Sequence, residues 1–233
     1  MVSDPERELA GMARRTVLIV GGGDPADSIA AGLDPTAWDV RRLDDDAQPW
    51  TDRTVTDALP DLTELDLVVH ARYPAAARHR ASLMDLTIDD WNEQADAPLE
   101  AAIRLARGAH PLLAEASGTI VFLVPLMASA GGEGFAAMAT AAEGIRIFAK
   151  SLAKTWGDDG IRAHAITLDP SAFLDDANAA GMAEANSLHD PPLGRVPDLA
   201  REVAPIVAAL TTDDFTALIG ASLVVDGGLW MPG

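Results

Sequence analysis

Short apolar runs alternate with longer amphipathic stretches along the whole chain. Runs of five to eight residues, rich in β-branched side chains, predict buried strands at 16–20, 38–43, 65–71, 118–124, 161–168 and 221–228. A spacing of apolar residues typical of helices marks 27–33, a long segment from Asp89 to about Ala114, and 135–157. Strands that alternate with helices in this way predict an α/β fold, with one doubly wound parallel sheet and helices on both faces.

A single domain accounts for the length of the chain. Its 233 residues are enough for one sizeable core, and they contain no internal repeat and no low-complexity segment. We therefore expect one domain over 1–233. The stretch 171–194 is the most irregular part of the sequence and predicts a mobile loop that holds a short helix.

Composition argues against several classes of protein. No stretch approaches about 18 consecutive apolar residues, so the sequence predicts no membrane span. The first residues mix acids and bases and lack the apolar run of a secretory signal. The chain has no cysteine, which removes disulfides and thiolate chemistry. We expect a cytoplasmic protein.

The charge balance is strongly acidic. The formal net charge is −19, from 36 acidic and 17 basic residues, and such a field repels phosphate. Nucleic acid and anionic membranes are therefore not expected partners, and the five histidines show no spacing that predicts a metal. Chemistry that needs tyrosine or lysine has few places to occur, because the chain has one tyrosine, Tyr73, and two lysines, Lys150 and Lys154.

Three segments of the second half resemble a known family. The sequences SLAKTWGDDGIRAHAI (151–166), PLGRVPDLAREVAPIVAAL (192–210) and LIGASLVVDGGLW (218–230) are similar to motifs of the short-chain dehydrogenase/reductase family. The order of the predicted elements is similar over nearly the whole chain. The resemblance implies a Rossmann-like fold and, in the family, oxidoreductase chemistry with NAD or NADP.

The catalytic tetrad of that family, an Asn, a Ser, a Tyr and a Lys, has no counterpart here. The positions of tyrosine and lysine, four residues apart on one helix face, fall on Met138 and Ala142. The serine position falls on Pro125 and the asparagine position on Pro98. None of these side chains can transfer a proton. We therefore assign no catalytic residue and interpret the chain as a degenerate, catalytically inactive member of the family.

The glycine-rich cofactor motif of the family is also altered. The segment GGGDPADS keeps the glycines at 21–23, but Ala26 and Ser28 stand where the family has glycine. Asp24 and Asp27 would place carboxylates where a pyrophosphate should meet the positive end of a helix. The motif thus predicts a poor phosphate site.

The other positions at which a cofactor would be contacted also predict weak binding. Pro25 removes a backbone donor from the phosphate loop. Asp44 or Asp45, after the second predicted strand, is the candidate for a ribose hydroxyl, although solvation is the commoner role of such carboxylates. The segment between Asp46 and Leu65 is short for the strand and helix usually found there. We predict no cofactor-binding residue and no bound NAD or NADP, with residual NAD(P) binding as the alternative.

A replacement site is the competing hypothesis. His70, Arg72 and Tyr73 follow a predicted strand at the edge of the sheet where open α/β folds bind ligands. Asp169 ends a later strand, and His164 lies within it. An enzyme with a replaced active site around His70, Arg72 and Asp169 is therefore the alternative function. The simpler interpretation makes His164 a satisfied core histidine and Arg72 a loop charge.

The resemblance also implies association with other subunits. In the family, the helices that match 91–115 and 135–157 form a dimer interface, and the C-terminal strand forms a second one. A chain without the tetrad is then expected to be a structural or regulatory partner of an active paralogue, in a dimer or tetramer. The alternative is a homo-oligomer of this chain. The expected apolar contacts are Ile145, Phe148, Leu152, Trp230 and Met231.

Overall fold

Six parallel strands dominate the computed structural model, which describes residues 14–43, 53–185, 188 and 190–231. These strands are β1 Arg15–Val20, β2 Trp38–Leu43, β3 Leu67–His70, β4 Thr119–Pro125, β5 Arg162–Leu168 and β6 Ser222–Val225. They form one sheet in the order β2-β1-β3-β4-β5-β6, and every neighbouring pair is parallel. The predicted doubly wound parallel sheet is confirmed.

Burial explains why the strands are apolar throughout. Every residue of β3 and β4 is buried, as expected for central strands covered on both faces. The edge strand β6 is only partly buried along its length. The β-branched runs of the sequence therefore mark the strands to within a few residues at each end.

Helices connect the strands and cover the sheet. They are α1 Ala26–Gly32, α2 Thr54–Ala58, α3 Ile88–Trp91, α4 Ala97–Ala116, α5 Met127–Ala130, α6 Ala136–Trp156, α7 Asp176–Ala185 and α8 Ala204–Ala209. The long helices α4 and α6 pack on β4 and on each other, and α2 packs on α4. Helices α1 and α8 pack together and cover other parts of the sheet.

The segment predicted as one long helix from Asp89 is broken into three parts. Thr87 begins α3 with a capping box to Asp90, and a π-helical turn at Asn92–Asp96 joins α3 to α4. Pro98, which lies at the start of α4, has no N–H to donate to the preceding turn, and this explains why regular α-helical bonding is interrupted there.

The irregular stretch predicted over 171–194 contains the short helix that the sequence indicates, α7, after a 3-10 turn at Pro170–Ala172. Across the described residues, none of the helices combines the length and the apolar character needed to cross a membrane.

Candidate functional site

The strand order reverses beside β1, since β2 lies on one side of β1 and β3 on the other, and open α/β sheets bind ligands at such a point. Gly21 follows β1 with a φ of 131°, and the backbone of Ala71 passes close beside it. A Cβ at Gly21 would lie 2.9 Å from the carbonyl carbon of Ala71. Only glycine allows the two loops to approach this closely.

Arg42, near the end of β2, lies across the glycine turn. Its guanidinium donates to the carbonyl of Ala26 at 3.0 Å and to the carbonyl of Gly21 at 3.1 Å, and it pairs with the Asp27 carboxylate at 2.6 Å. The hydroxyl of Ser28 donates to Asp24 at 2.5 Å. The negative charge of Asp27 is therefore compensated at this turn. Sequence reasoning missed Arg42, although an arginine beside such a turn is a known signal for NADP.

The positions matched to the tetrad lie inside the protein. Pro125 ends β4 and is buried, and Pro98 is buried at the start of α4. Met138 and Ala142 face inward from α6 and are 1% and 0% exposed. No group that can donate or accept a proton is present at these four places.

An aromatic contact bridges the mouth of the sheet. Tyr73, after β3, is fully buried, and its ring centroid lies 5.3 Å from that of Phe173, in an edge-on arrangement. Phe173 follows the turn after β5, and β3 and β5 flank β4 on its two sides. The contact therefore spans the end of β4. Burial raises the pKa of the Tyr73 hydroxyl, which has no hydrogen-bond partner among the described residues.

Tyr73→Phe is expected to stabilise the folded chain by about 1–3 kcal/mol, the cost of burying a hydroxyl without a partner. Urea denaturation of the two proteins gives the difference. Because the chain has a single tyrosine, incorporation of 3-fluorotyrosine gives one ¹⁹F resonance that reports whether the ring is buried. A loss of stability in Tyr73→Phe would show that the hydroxyl has a partner, such as a buried water, and would contradict the prediction.

Two histidines are also buried, and neither ring has a hydrogen bond to another residue in the described part of the chain. His70 ends β3, and its ring centroid lies 5.6 Å from that of Phe122. Burial, reinforced by Arg72, lowers the pKa of His70 to about 3. Burial and Arg162 lower the pKa of His164 to about 4. His164 lies in the core as predicted, but neither of its ring nitrogens is hydrogen-bonded, so the expectation of a satisfied histidine is not met.

The residues of the suggested replacement site do not form one cluster. Asp169 caps the turn after β5, where its carboxylate accepts from the N–H and the hydroxyl of Ser171. In the part of the chain that the structure describes, no hydrogen bond joins Asp169 to the ring of His70. The same residues include no group of three or more acidic or histidine side chains placed to hold a metal.

Comparison with known proteins gives this fold a family. The family model described as enoyl-(acyl carrier protein) reductase matches residues 23–230. The chain belongs to the short-chain dehydrogenase/reductase family.

Relatives within the short-chain dehydrogenase/reductase family are distant. The 3-oxoacyl-(acyl-carrier-protein) reductase FabG of Salmonella typhimurium is 29% identical over 155 residues, which cover 64% of this chain and 61% of that protein. A tropinone reductase homologue of Arabidopsis thaliana is 29% identical over 181 residues, 73% of this chain and 63% of its own. The matched part thus spans about three fifths of the length of these curated relatives.

Solved structures of the short-chain dehydrogenase/reductase family share the fold. A Burkholderia thailandensis oxidoreductase of the family superposes with a TM-score of 0.76 and 23% identity, over 94% of this chain and 93% of that one. A protein described as an NAD(P)-dependent gluconate 5-dehydrogenase from Beutenbergia cavernae gives a TM-score of 0.75 and 21% identity, over 94% and 97%. That crystal structure contains bound NADP.

The prediction that this chain binds neither NAD nor NADP is contradicted by these comparisons, since a neighbour of the same fold holds NADP. The prediction rested in part on the negative charge of Asp24 and Asp27. Arg42 pairs with Asp27, and Ser28 donates to Asp24, so the turn is less repulsive to phosphate than the sequence indicated. The other acidic candidates, Asp44 and Asp45, lie outside the described residues.

The helices that form a dimer interface in the short-chain dehydrogenase/reductase family are present as α4 and α6. Two of the predicted contact residues, however, cannot contact a partner subunit. Ile145 and Leu152 are buried in the core of the chain itself. Phe148 packs edge-on against Phe122, with 5.8 Å between ring centroids. On this helix the large apolar side chain that reaches solvent is Ile147, which is 46% exposed. The assignment of Ile145 and Leu152 to the interface was wrong.

Proposed function

We propose that this chain is a short-chain dehydrogenase/reductase subunit that binds a nicotinamide nucleotide but does not itself reduce or oxidise carbonyl substrates. The observation that carries the proposal is the burial of Pro98, Pro125, Met138 and Ala142 at the places that match the tetrad. A carbonyl reduction needs a group that delivers a proton to the substrate oxygen. None of these four side chains has such a group.

The glycine turn and Arg42 fit the adenosine end of the nucleotide. Gly21 and Gly23 both have positive φ, which lets backbone approach a phosphate, and Arg42 supplies a guanidinium at the end of β2. An arginine in this place accommodates the 2′-phosphate of NADP, so NADP is favoured over NAD. A bound nicotinamide nucleotide supplies a hydride. The Tyr73–Phe173 contact lies at the mouth of the sheet and restricts access for the nicotinamide end.

A structural or regulatory role beside an active family member follows from the same features. The helices α4 and α6 are complete although the chemistry is absent, and Ile147 offers an exposed apolar side chain on α6. These helices support a dimer or tetramer, with an active paralogue as the preferred partner and a second copy of this chain as the rival. The mass of the complex, alone and mixed with a paralogue from the same genome, distinguishes the two.

The enzyme with a replaced site is less well supported. His70 is fully buried and its pKa is lowered to about 3, so it cannot serve as a general base for a molecule in solvent. Asp169 is engaged with Ser171 and does not contact His70.

The test combines a turnover measurement with a binding measurement on the purified chain. With NADPH and a panel of ketones, we expect no oxidation of NADPH above background. NADPH itself is expected to bind, and Arg42→Gln to weaken binding about 10- to 100-fold, the effect of losing one charge-assisted hydrogen bond. The matched control is Arg41→Gln, because Arg41 points to the other face of β2 and pairs with Asp39 and Asp61.

The outcomes separate the two halves of the proposal. Turnover of any ketone by the isolated chain would contradict the inactive subunit and favour a replaced site. Equal weakening by Arg41→Gln and Arg42→Gln, or no binding of NADPH, would contradict the nucleotide site.

A further inference from the structure

A second cavity lies at the opposite edge of the sheet, where the strands begin. Its volume is about 370 Å³, within the range of sites for small molecules. Because β1 has six residues, this edge lies about 20 Å from the glycine turn at the other end of the strand. The side chains that matter for its chemistry are those of Arg15, Asp66, Ser117, Arg162, Asp213 and Thr216.

Two arginines converge on this cavity from distant strands. Arg15 begins β1 and Arg162 begins β5, and β3 and β4 lie between those two strands. The Arg15 guanidinium donates to the hydroxyl of Thr211 at 2.7 Å. Arg162 donates to the carbonyl of Thr211 at 2.8 Å and to that of Thr212 at 2.9 Å. Both guanidinium groups are therefore held beside Thr211.

Their positions are fixed by the protein. The Arg15 guanidinium stacks on Trp38, with 4.1 Å from its carbon to the ring centroid. Arg162 is held by its two carbonyl acceptors and lies 3.4 Å from the hydroxyl of Thr216. Such preorganisation lowers the entropy lost when a ligand binds.

Among the described residues, neither Arg15 nor Arg162 forms an ion pair with an acidic group, although acidic residues outnumber basic ones by 36 to 17. Asp66 lines the same cavity, but its carboxylate accepts from the N–H of Thr16 instead. Although Asp66 and Asp213 also line the cavity, two fixed guanidinium groups that pair with neither of these carboxylates favour a bound anion beside them.

We propose that this cavity binds a small oxyanion, a carboxylate or a phosphate, through the guanidinium groups of Arg15 and Arg162. Planar guanidinium groups match both kinds of anion. Asp66 and Asp213, which also line the cavity, accept hydrogen bonds from hydroxyl or amino groups, so a ligand that joins such donors to one anionic group fits best. The site is independent of the nucleotide site proposed above.

The test measures the melting temperature of the full chain with inorganic phosphate and with malate, each against chloride at equal ionic strength. At ten times the dissociation constant, the anion that fits is expected to raise the melting temperature by roughly 3–6 °C. The two anions distinguish phosphate from carboxylate recognition. Calorimetry then gives the dissociation constant for the anion that stabilises the chain.

The variants assign the effect to this cavity. Arg15→Gln and Arg162→Gln are each expected to weaken binding by about 10-fold or more, and Arg162→Lys, which keeps the charge, to weaken it less. The control variant, Arg14→Gln, is expected to bind as the wild type does, because Arg14 is exposed and donates to the carbonyl of Pro35. Stabilisation by neither anion, or equal binding by the wild type and both cavity variants, would overturn the proposal.

Discussion

Ala142→Lys is expected to destabilise the folded chain by roughly 4–5 kcal/mol near neutral pH. Ala142 is fully buried on the inner face of α6, and a lysine buried in such surroundings has its pKa lowered by about 3–5 units. Each unit corresponds to about 1.4 kcal/mol. Urea denaturation near neutral pH measures the loss. Part of it should be recovered as the pH rises, because the lysine is then neutral in the unfolded chain as well.

The matched control is Thr140→Lys, two residues earlier on the same helix. Thr140 is exposed and its hydroxyl donates to the carbonyl of Ala136, so a lysine there should change the stability by about 0.5 kcal/mol or less. Equal stability of Ala142→Lys and Thr140→Lys would mean that position 142 is open to solvent, and would contradict the burial of the tetrad positions on which the proposed function rests.

The sheet was predictable because its signal is local. Each strand is a short apolar run, and the run at 38–43 matches β2 at both ends. Helix α6 was predicted over 135–157 and extends over Ala136–Trp156. The pattern could not show which side of an apolar helix faces its own sheet. Since α6 is apolar over more than half its circumference, Ile145 and Leu152 were assigned to an interface, whereas the structure buries both in the core.

The candidate site was less predictable because its contacts are not local. Arg42 lies more than a dozen residues from the glycine turn in sequence and reaches it only because β2 pairs with β1. The contact of Tyr73 with Phe173 depends in the same way on loops from two strands that flank a third. Counting charges along the loop therefore overstated its repulsion of phosphate. The lack of proton-transferring side chains at the four tetrad positions could be predicted from the sequence, because it depends on residue identity and not on distant contacts.

The folded chain is expected to lose about 4 kcal/mol of stability between pH 7.5 and pH 5, because two buried histidines must stay neutral. An unfolded histidine titrates near pH 6.5, whereas the pKa is about 3 for His70 and about 4 for His164 in the fold. Below pH 6.5 the unfolded chain binds protons that the folded chain does not, so acid favours unfolding. Each histidine contributes about 1.4 kcal/mol per pH unit until it is protonated in the fold.

Urea denaturation at several values between pH 7.5 and pH 5 measures this slope in the wild type, His70→Leu and His164→Leu. Each substitution is expected to remove about half of the slope, and neither should cost much stability at pH 7.5, since neither ring makes a hydrogen bond. The carboxyl group whose pKa is lowered most among those described, Glu202, has a pKa of about 2. A lowered carboxyl pKa costs stability only as the pH falls below the ordinary value of the group, 4.5 for Glu202, which lies below this range, so the histidines dominate the interval. A flat profile in the wild type, or an unchanged slope in both variants, would show that the two rings find polar partners or water when the protein is in solution.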